Sequence, residues 1–229
     1  MSLIFRAIRD LVRLPSACLL ILQLLILFLA VVSSHDLAYR SMTWILGALV
    51  LLIIAKVIKM TPIFSAVGLF GVLGALIFSF LILIGYHQAY IQITAHVFEV
   101  IAYTTAAYGL VRYMFEDRYL TKDELFAAAA VFTLIAWSFA FLYSICQLYD
   151  PLSFSITPEQ SVQHSWLDLL FLSFSIQSAT GLSDIMPLSP LARLIAMIQM
   201  FSGVMYLALI VSRLIALQYI AHLPKHQDD

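Results

Sequence analysis

Apolar residues run along this chain in long blocks, and short polar stretches punctuate them. Six blocks, roughly 16–33, 42–59, 63–86, 89–112, 125–148 and 190–217, reach the length of about 17–25 residues with which a helix crosses the hydrocarbon of a bilayer. A further apolar stretch, 165–177, is shorter. At a rise of 1.5 Å per residue it extends only about 20 Å, against a hydrocarbon core of about 30 Å, so a helix there enters but cannot exit. Ser165 with Asp168 three residues on predicts its first turn, and Thr157-Pro158-Glu159-Gln160 predicts a helix start upstream through the same capping chemistry. A small polar turn follows, Ser178-Ala179-Thr180-Gly181-Leu182-Ser183-Asp184, and then a loop punctuated by Pro187 and Pro190. The pattern predicts an all-α membrane protein of six transmembrane helices with one short helix between the last two.

Composition agrees. Of 229 residues 63% are hydrophobic and 11% charged, where a soluble domain carries about 25% charged residues, so the apolar excess needs lipid as a partner. A net charge of −1 with no basic run excludes a nucleic-acid partner. Cys18 and Cys146 sit inside apolar spans and read as small buried hydrophobes, not as a disulfide. The spacing of potential ligands suggests no bound metal. In residues 1–15, Arg6, Arg9 and Arg13 stand at helical spacing against Leu3, Ile4, Ile8, Leu11 and Val12, the pattern of a short interfacial helix. The run after it is longer than a signal-peptide core of about 7–15 residues and reads as a retained first span.

Charge sets the orientation. Of twelve Lys and Arg residues, all but Arg40 and Arg193 fall on one side if the spans alternate, which places both termini in the cytoplasm. The opposite side collects Asp36, Asp150, Glu159, Asp168 and Asp184, and an acidic vestibule raises the local cation concentration.

Irregular backbone at membrane depth is tolerated only where protein or water surrounds it, and such backbone is the material of selectivity filters. The 165–184 hairpin therefore points to an ion-conducting pore. Phe174-Ser175-Ile176-Gln177-Ser178-Ala179-Thr180-Gly181-Leu182-Ser183-Asp184-Ile185-Met186-Pro187 resembles the F-x-T-x-T-T-V-G-Y-G-D-I-x-P stretch of the potassium-channel superfamily. The likeness is to small bacterial channels with one pore domain per chain. It spans about residues 125–218 and reaches the front four helices only by topology. It implies a re-entrant pore helix and filter loop, a homotetrameric pore, a bacterial plasma-membrane location, and no cofactor beyond the permeating K+ or Na+. Carried over by position, Ser178, Ala179, Thr180, Gly181, Leu182 and Ser183 line the ion path and Asp184 lies at its outer mouth.

The departures from that motif have consequences. Ala179 lacks the hydroxyl of an inner ion site, Leu182 replaces a bracing Tyr, and Ser183 replaces a Gly, which is strained if the position needs positive φ. Weakened potassium selectivity is the expectation. The implied division is an interfacial helix over 1–15, a front domain over 16–115, a cytoplasmic linker over 116–124, a pore domain over 125–218 and a tail over 219–229.

The fourth span carries only His96, Glu99 and Arg112 as ionisable groups. A voltage sensor needs a ladder of cations crossing the field, so steep voltage dependence is not expected. His96 and Glu99 share a helical face and form either a modulatory pair or a buried hydrogen-bonded one. Gly203 is either a gating hinge or a point of close packing. Arg213 is expected to pair with Glu116, Asp117, Asp123 or Glu124, and Arg193 with Asp184. Two other classes share some of these features: a secondary transporter with a re-entrant segment, and an intramembrane serine hydrolase using Ser183 and His164. The first lacks similarity between its halves and the second lacks the closing glycine of a nucleophile elbow, so no enzyme activity is expected.

Overall fold

The computed structural model describes residues 15–32, 50, 52, 65–116, 122–155 and 163–221. They form six helices: α1 (Pro15–Val32), α2 (Ser65–Ile84), α3 (Ala89–Glu116), α4 (Lys122–Tyr149), α5 (Trp166–Gln177) and α6 (Pro190–Ala221). Among the described residues the only extended pairing is an isolated antiparallel bridge between Phe154 and Pro187. Three stretches are long and apolar enough to cross a membrane: Ala66–Ile84, Asp123–Tyr149 and Pro190–Ala216. Ser16–Val31 is apolar but shorter. Helix α3 has the length, with 28 residues, but Gln92, His96, Glu99 and Arg112 lower its hydropathy. The expected span at 42–59 lies outside the described residues apart from Val50 and Leu52, and so do the 1–14 amphipathic stretch, the 157–160 helix start and the last eight residues of the tail.

Local chemistry sets the helix starts. Pro15 and Pro190 occupy first positions, where the missing N–H costs nothing. Ser189 caps α6, its Oγ accepting from Ala192 N at 3.2 Å. Asp123 and Glu124 stand in the first turn of α4, where the helix dipole favours acids. The interval between α3 and α4 is therefore 117–121, shorter than the charged break alone suggests. Asp123 is buried and also accepts from Ser16 N at 3.3 Å and Ser16 Oγ at 2.9 Å. One carboxylate thus serves the starts of two helices.

Helix α4 is the hub, packing against α1, α3, α5 and α6, while α2 rides on α3. A β-carbon at Gly71 would meet the Ala102 backbone at 3.0 Å, and one at Gly74 would strike the Phe98 ring. Small residues of this kind let membrane helices approach closely. The core runs without a break from Leu19 and Ile26 of α1, through Tyr103 and Leu110 of α3 and Leu134 and Trp137 of α4, to Leu170 of α5 and Tyr206 of α6. Its aromatic centre gathers Tyr103, Trp137, Phe141 and Trp166 in tilted and edge-on pairs with centroids 5.3–5.9 Å apart. The front helices and the pore-like hairpin share one core through α4.

Thr104 Oγ1 lies 3.5 Å from Ser138 Oγ across the α3–α4 contact. In a chain with Cys18 and Cys146 changed to Ser, Thr104→Cys and Ser138→Cys together are expected to cross-link within one chain. On a denaturing gel the oxidised protein then runs as a monomer. Cross-linked dimers from co-expressed single-cysteine chains would instead place α3 on a neighbour's α4.

Candidate functional site

Helix α5 starts as its sequence predicts. Ser165 is the N-cap, its Oγ accepting from Asp168 N at 3.2 Å while Asp168 Oδ2 accepts from Ser165 N at 2.9 Å. A pairing that the sequence does not advertise closes the connection from α4. Gln147 Nε2 donates to the His164 carbonyl and His164 N donates to Gln147 Oε1, both at 2.9 Å. His164 Nε2 donates to the Ser155 carbonyl at 2.8 Å.

The helix has 12 residues, about 18 Å at 1.5 Å per residue. Beyond the turn at its end the chain returns to the end of α4 from which it departed. Ser155 N donates to the Met186 carbonyl at 2.9 Å and Leu188 N to the Ser153 carbonyl at 2.8 Å, while Met186 N donates to Ser155 Oγ at 2.8 Å.

The intervening turn holds the residues that the sequence nominates for the ion path, Ser178 to Ser183, and Asp184 after them. Ala179 N donates to the Ile176 carbonyl and Thr180 N to the Ser175 carbonyl, both at 3.1 Å, and Ala179 has φ 57°. This is the Schellman way of ending a helix, with alanine at the left-handed position that glycine usually occupies. Ser178 Oγ donates to the Phe174 carbonyl at 2.7 Å and lies 3.1 Å from Thr180 Oγ1. Gly181 also has positive φ, at 66°. Ser183 does not, so the strain tied to its replacing a glycine is absent; the strained residue is Ala179. Ser183 N instead donates to Ser175 Oγ at 3.0 Å, and Ser183 Oγ accepts from Ile185 N at 3.2 Å. Ser175, buried and not among the nominated residues, thereby ties the far end of the turn to α5.

Ala179, Thr180, Gly181 and Leu182 are exposed, as is Asp184. Leu182, at 73% exposure, braces nothing within its own chain. Arg193 does not meet Asp184 in the chain; its Nε donates to the Pro187 carbonyl at 3.2 Å.

Left-handed alanine costs about 1–2 kcal/mol relative to the right-handed form, and glycine returns roughly 0.4–1 kcal/mol through the entropy of the unfolded chain. Ala179→Gly is therefore expected to stabilise the protein by up to about 1 kcal/mol, read as a higher thermal midpoint in detergent. A lower midpoint would show that Ala179 is not left-handed.

The remaining nominated residues lie away from the turn. His96 Nδ1 and Glu99 Oε2 meet at 2.8 Å, part-buried, with the His96 ring stacked on Phe141 at 5.5 Å. Gly203 faces the end of α5, where an added β-carbon would lie 2.5 Å from the Gln177 carbonyl oxygen. Arg213 meets Glu124, one of the acids open to it, at 3.5 Å, and the guanidinium also lies 4.8 Å over the Phe115 ring; Asp117 lies outside the described residues. Cys18 and Cys146 are free, and among the described residues no three His, Cys, Asp or Glu side chains gather as metal ligands.

A family model described as "Ion channel" matches residues 128–218. That stretch takes in most of α4, the whole of α5 with its polar turn, and nearly all of α6. No curated protein and no solved structure matches the chain. The match together with the apolar helices supports an ion channel in a membrane, its described residues built of helices and their connections; neither a transporter nor a hydrolase is supported.

Proposed function

We propose that the chain assembles as a homotetramer around the 178–184 turn and conducts monovalent cations with weakened potassium selectivity. One observation carries the reading. Inside the stretch similar to ion channels, a helix too short to cross a bilayer ends in an exposed polar turn, Ala179 to Leu182, and the chain then returns to the end of α4 that it left. Four such turns about one axis would offer carbonyl and hydroxyl oxygens in place of an ion's water. In the same reading Asp184 charges the outer mouth, Gly203 is a candidate hinge, and the His96–Glu99 pair biases gating from the front helices. The protein sits in the inner membrane of a bacterium with both termini in the cytoplasm, and lipid and its own copies are its partners.

The missing brace at Leu182 argues for a soft outer filter, and α3, without a ladder of cations, argues against steep voltage gating. Purified protein in a planar bilayer, with potassium on one side and sodium on the other, tests the reading. Unitary currents reversing near zero are expected. A large shift toward the potassium equilibrium potential overturns the weakened selectivity, and substrate exchange without unitary steps overturns the pore.

A further inference from the structure

Behind the polar turn lies a set of buried amides and hydroxyls that no ion could touch. Gln177, Gln199, Ser173 and Tyr143 have 0% of their surface exposed, although each lies in a strongly apolar helix. Polar groups so placed are costly unless bonded, and here each is. Gln199 Nε2, on α6, donates to the Ser173 carbonyl at 3.0 Å, to Ser173 Oγ at 2.6 Å and toward Gln177 Oε1 at 3.3 Å. The Ser173 carbonyl can only accept and so fixes which way the amide faces, leaving Gln199 Oε1 to accept from Tyr143 OH at 2.7 Å. Gln177 Nε2 donates to the Phe132 carbonyl and Ser173 Oγ to the Ala136 carbonyl, at 2.7 and 2.6 Å. One turn further along α6, Gly203 lies against the Gln177 carbonyl. Helix α6 thus holds Gln177, the last residue of α5, at two successive turns, while α4 holds it from the other side.

We infer that Gln199 is a positioning residue: through Gln177 it fixes the base of the Ser178–Ser183 turn and so sets the width of the ion path. The inference rests on the pore reading above and names a residue on another helix, out of the ion's reach, that controls it. A fully satisfied polar network specifies one packing where an apolar contact would permit several. Ser178 follows Gln177 directly, so freedom at Gln177 becomes freedom at the first residue of the turn. The Schellman bonds from Ala179 and Thr180 return to the same last turn of α5 and carry it onward.

Gln199→Met keeps the volume and removes every bond to Ser173, Gln177 and Tyr143. Two measurements on the tetramer test it: hydrogen–deuterium exchange of the 178–183 amides, and the permeability of dimethylammonium relative to sodium. Each is expected to rise about fivefold, the effect of losing a net hydrogen bond. Gln177→Met is expected to act alike, and the double variant to add little because both cut one clamp. If Gln199→Met does not assemble, Tyr143→Phe, which deletes one hydroxyl, is expected to give a smaller rise in both readouts. Unchanged exchange overturns the clamp, and raised exchange with unchanged dimethylammonium permeability overturns its control of the path. No current from the unsubstituted protein overturns the pore reading and with it the inference, while exchange shows separately whether the clamp exists.

Discussion

Gly203→Ala is expected to destabilise the protein by about 1–2 kcal/mol, a fall of several degrees in its thermal midpoint. The new methyl would lie 2.5 Å from the Gln177 carbonyl oxygen and 3.0 Å from both Gln177 Cα and Cγ. Two of those atoms are backbone and cannot swing aside. The side chain that follows them is held by the Phe132 carbonyl and approached by Gln199. Helix α6 must therefore move away from α5, opening the contact that places the polar turn. Overpacking of this kind costs about 1–3 kcal/mol, and the better helix propensity of alanine offsets at most about 1 kcal/mol. Melting in detergent, followed by tryptophan fluorescence or by loss of the assembled species on gel filtration, measures the effect. An alanine variant as stable as the parent would mean that α6 does not touch Gln177, and would favour the hinge reading of this glycine.

The second large effect is expected at the other end of α6. Glu124→Gln is expected to cost about 3 kcal/mol, because it removes the negative charge that faces the Arg213 guanidinium at 3.5 Å, where the two side chains are 13% and 3% exposed. The low end of the range for broken buried pairs applies, since an arginine stem can carry its charge toward the headgroups. Arg213→Gln alone is expected to cost a similar amount by removing the positive charge opposite the buried Glu124 and losing the contact with Phe115. The double variant is expected to recover part of the loss, with a coupling energy of about 1–2 kcal/mol in a double-mutant cycle. A coupling indistinguishable from zero would dissolve the pair. The pair also bears on conduction. In the proposed tetramer, an Arg213 held by Glu124 at the start of α4 would present less bare positive charge to cations at an inner mouth.

Much of the frame was legible along the chain. The lengths of the apolar blocks locate α1, α2, α3, α4 and α6, and Ser165 with Asp168 locates the first turn of α5, because span length and capping are local matters that neighbouring residues settle. The charged stretch between α3 and α4 was read too broadly. Asp123 and Glu124 look like linker residues by charge, yet a helix accepts acids in its first turn, and Asp123 gains Ser16, 107 residues away. The candidate site was legible in position but not in conformation. The motif leaves Ser183 either strained or on a different backbone path, and the path differs: the helix ends through Ala179, whose left-handed geometry follows from where the last carbonyls of α5 find donors.

By itself the sequence determined that the protein is helical and lipid-bound, that one helix is too short to cross, and that a polar turn follows it. These follow from hydropathy, length and charge, which act over a few residues and can be summed along a line. The partners follow from tertiary packing alone: Glu124 for Arg213, Gln177 for Gly203, and Ser173 and Tyr143 for Gln199. Each depends on which faces of α4, α5 and α6 meet. That is a matter of close packing among residues 26 to 89 positions apart, and no local pattern along the chain encodes it.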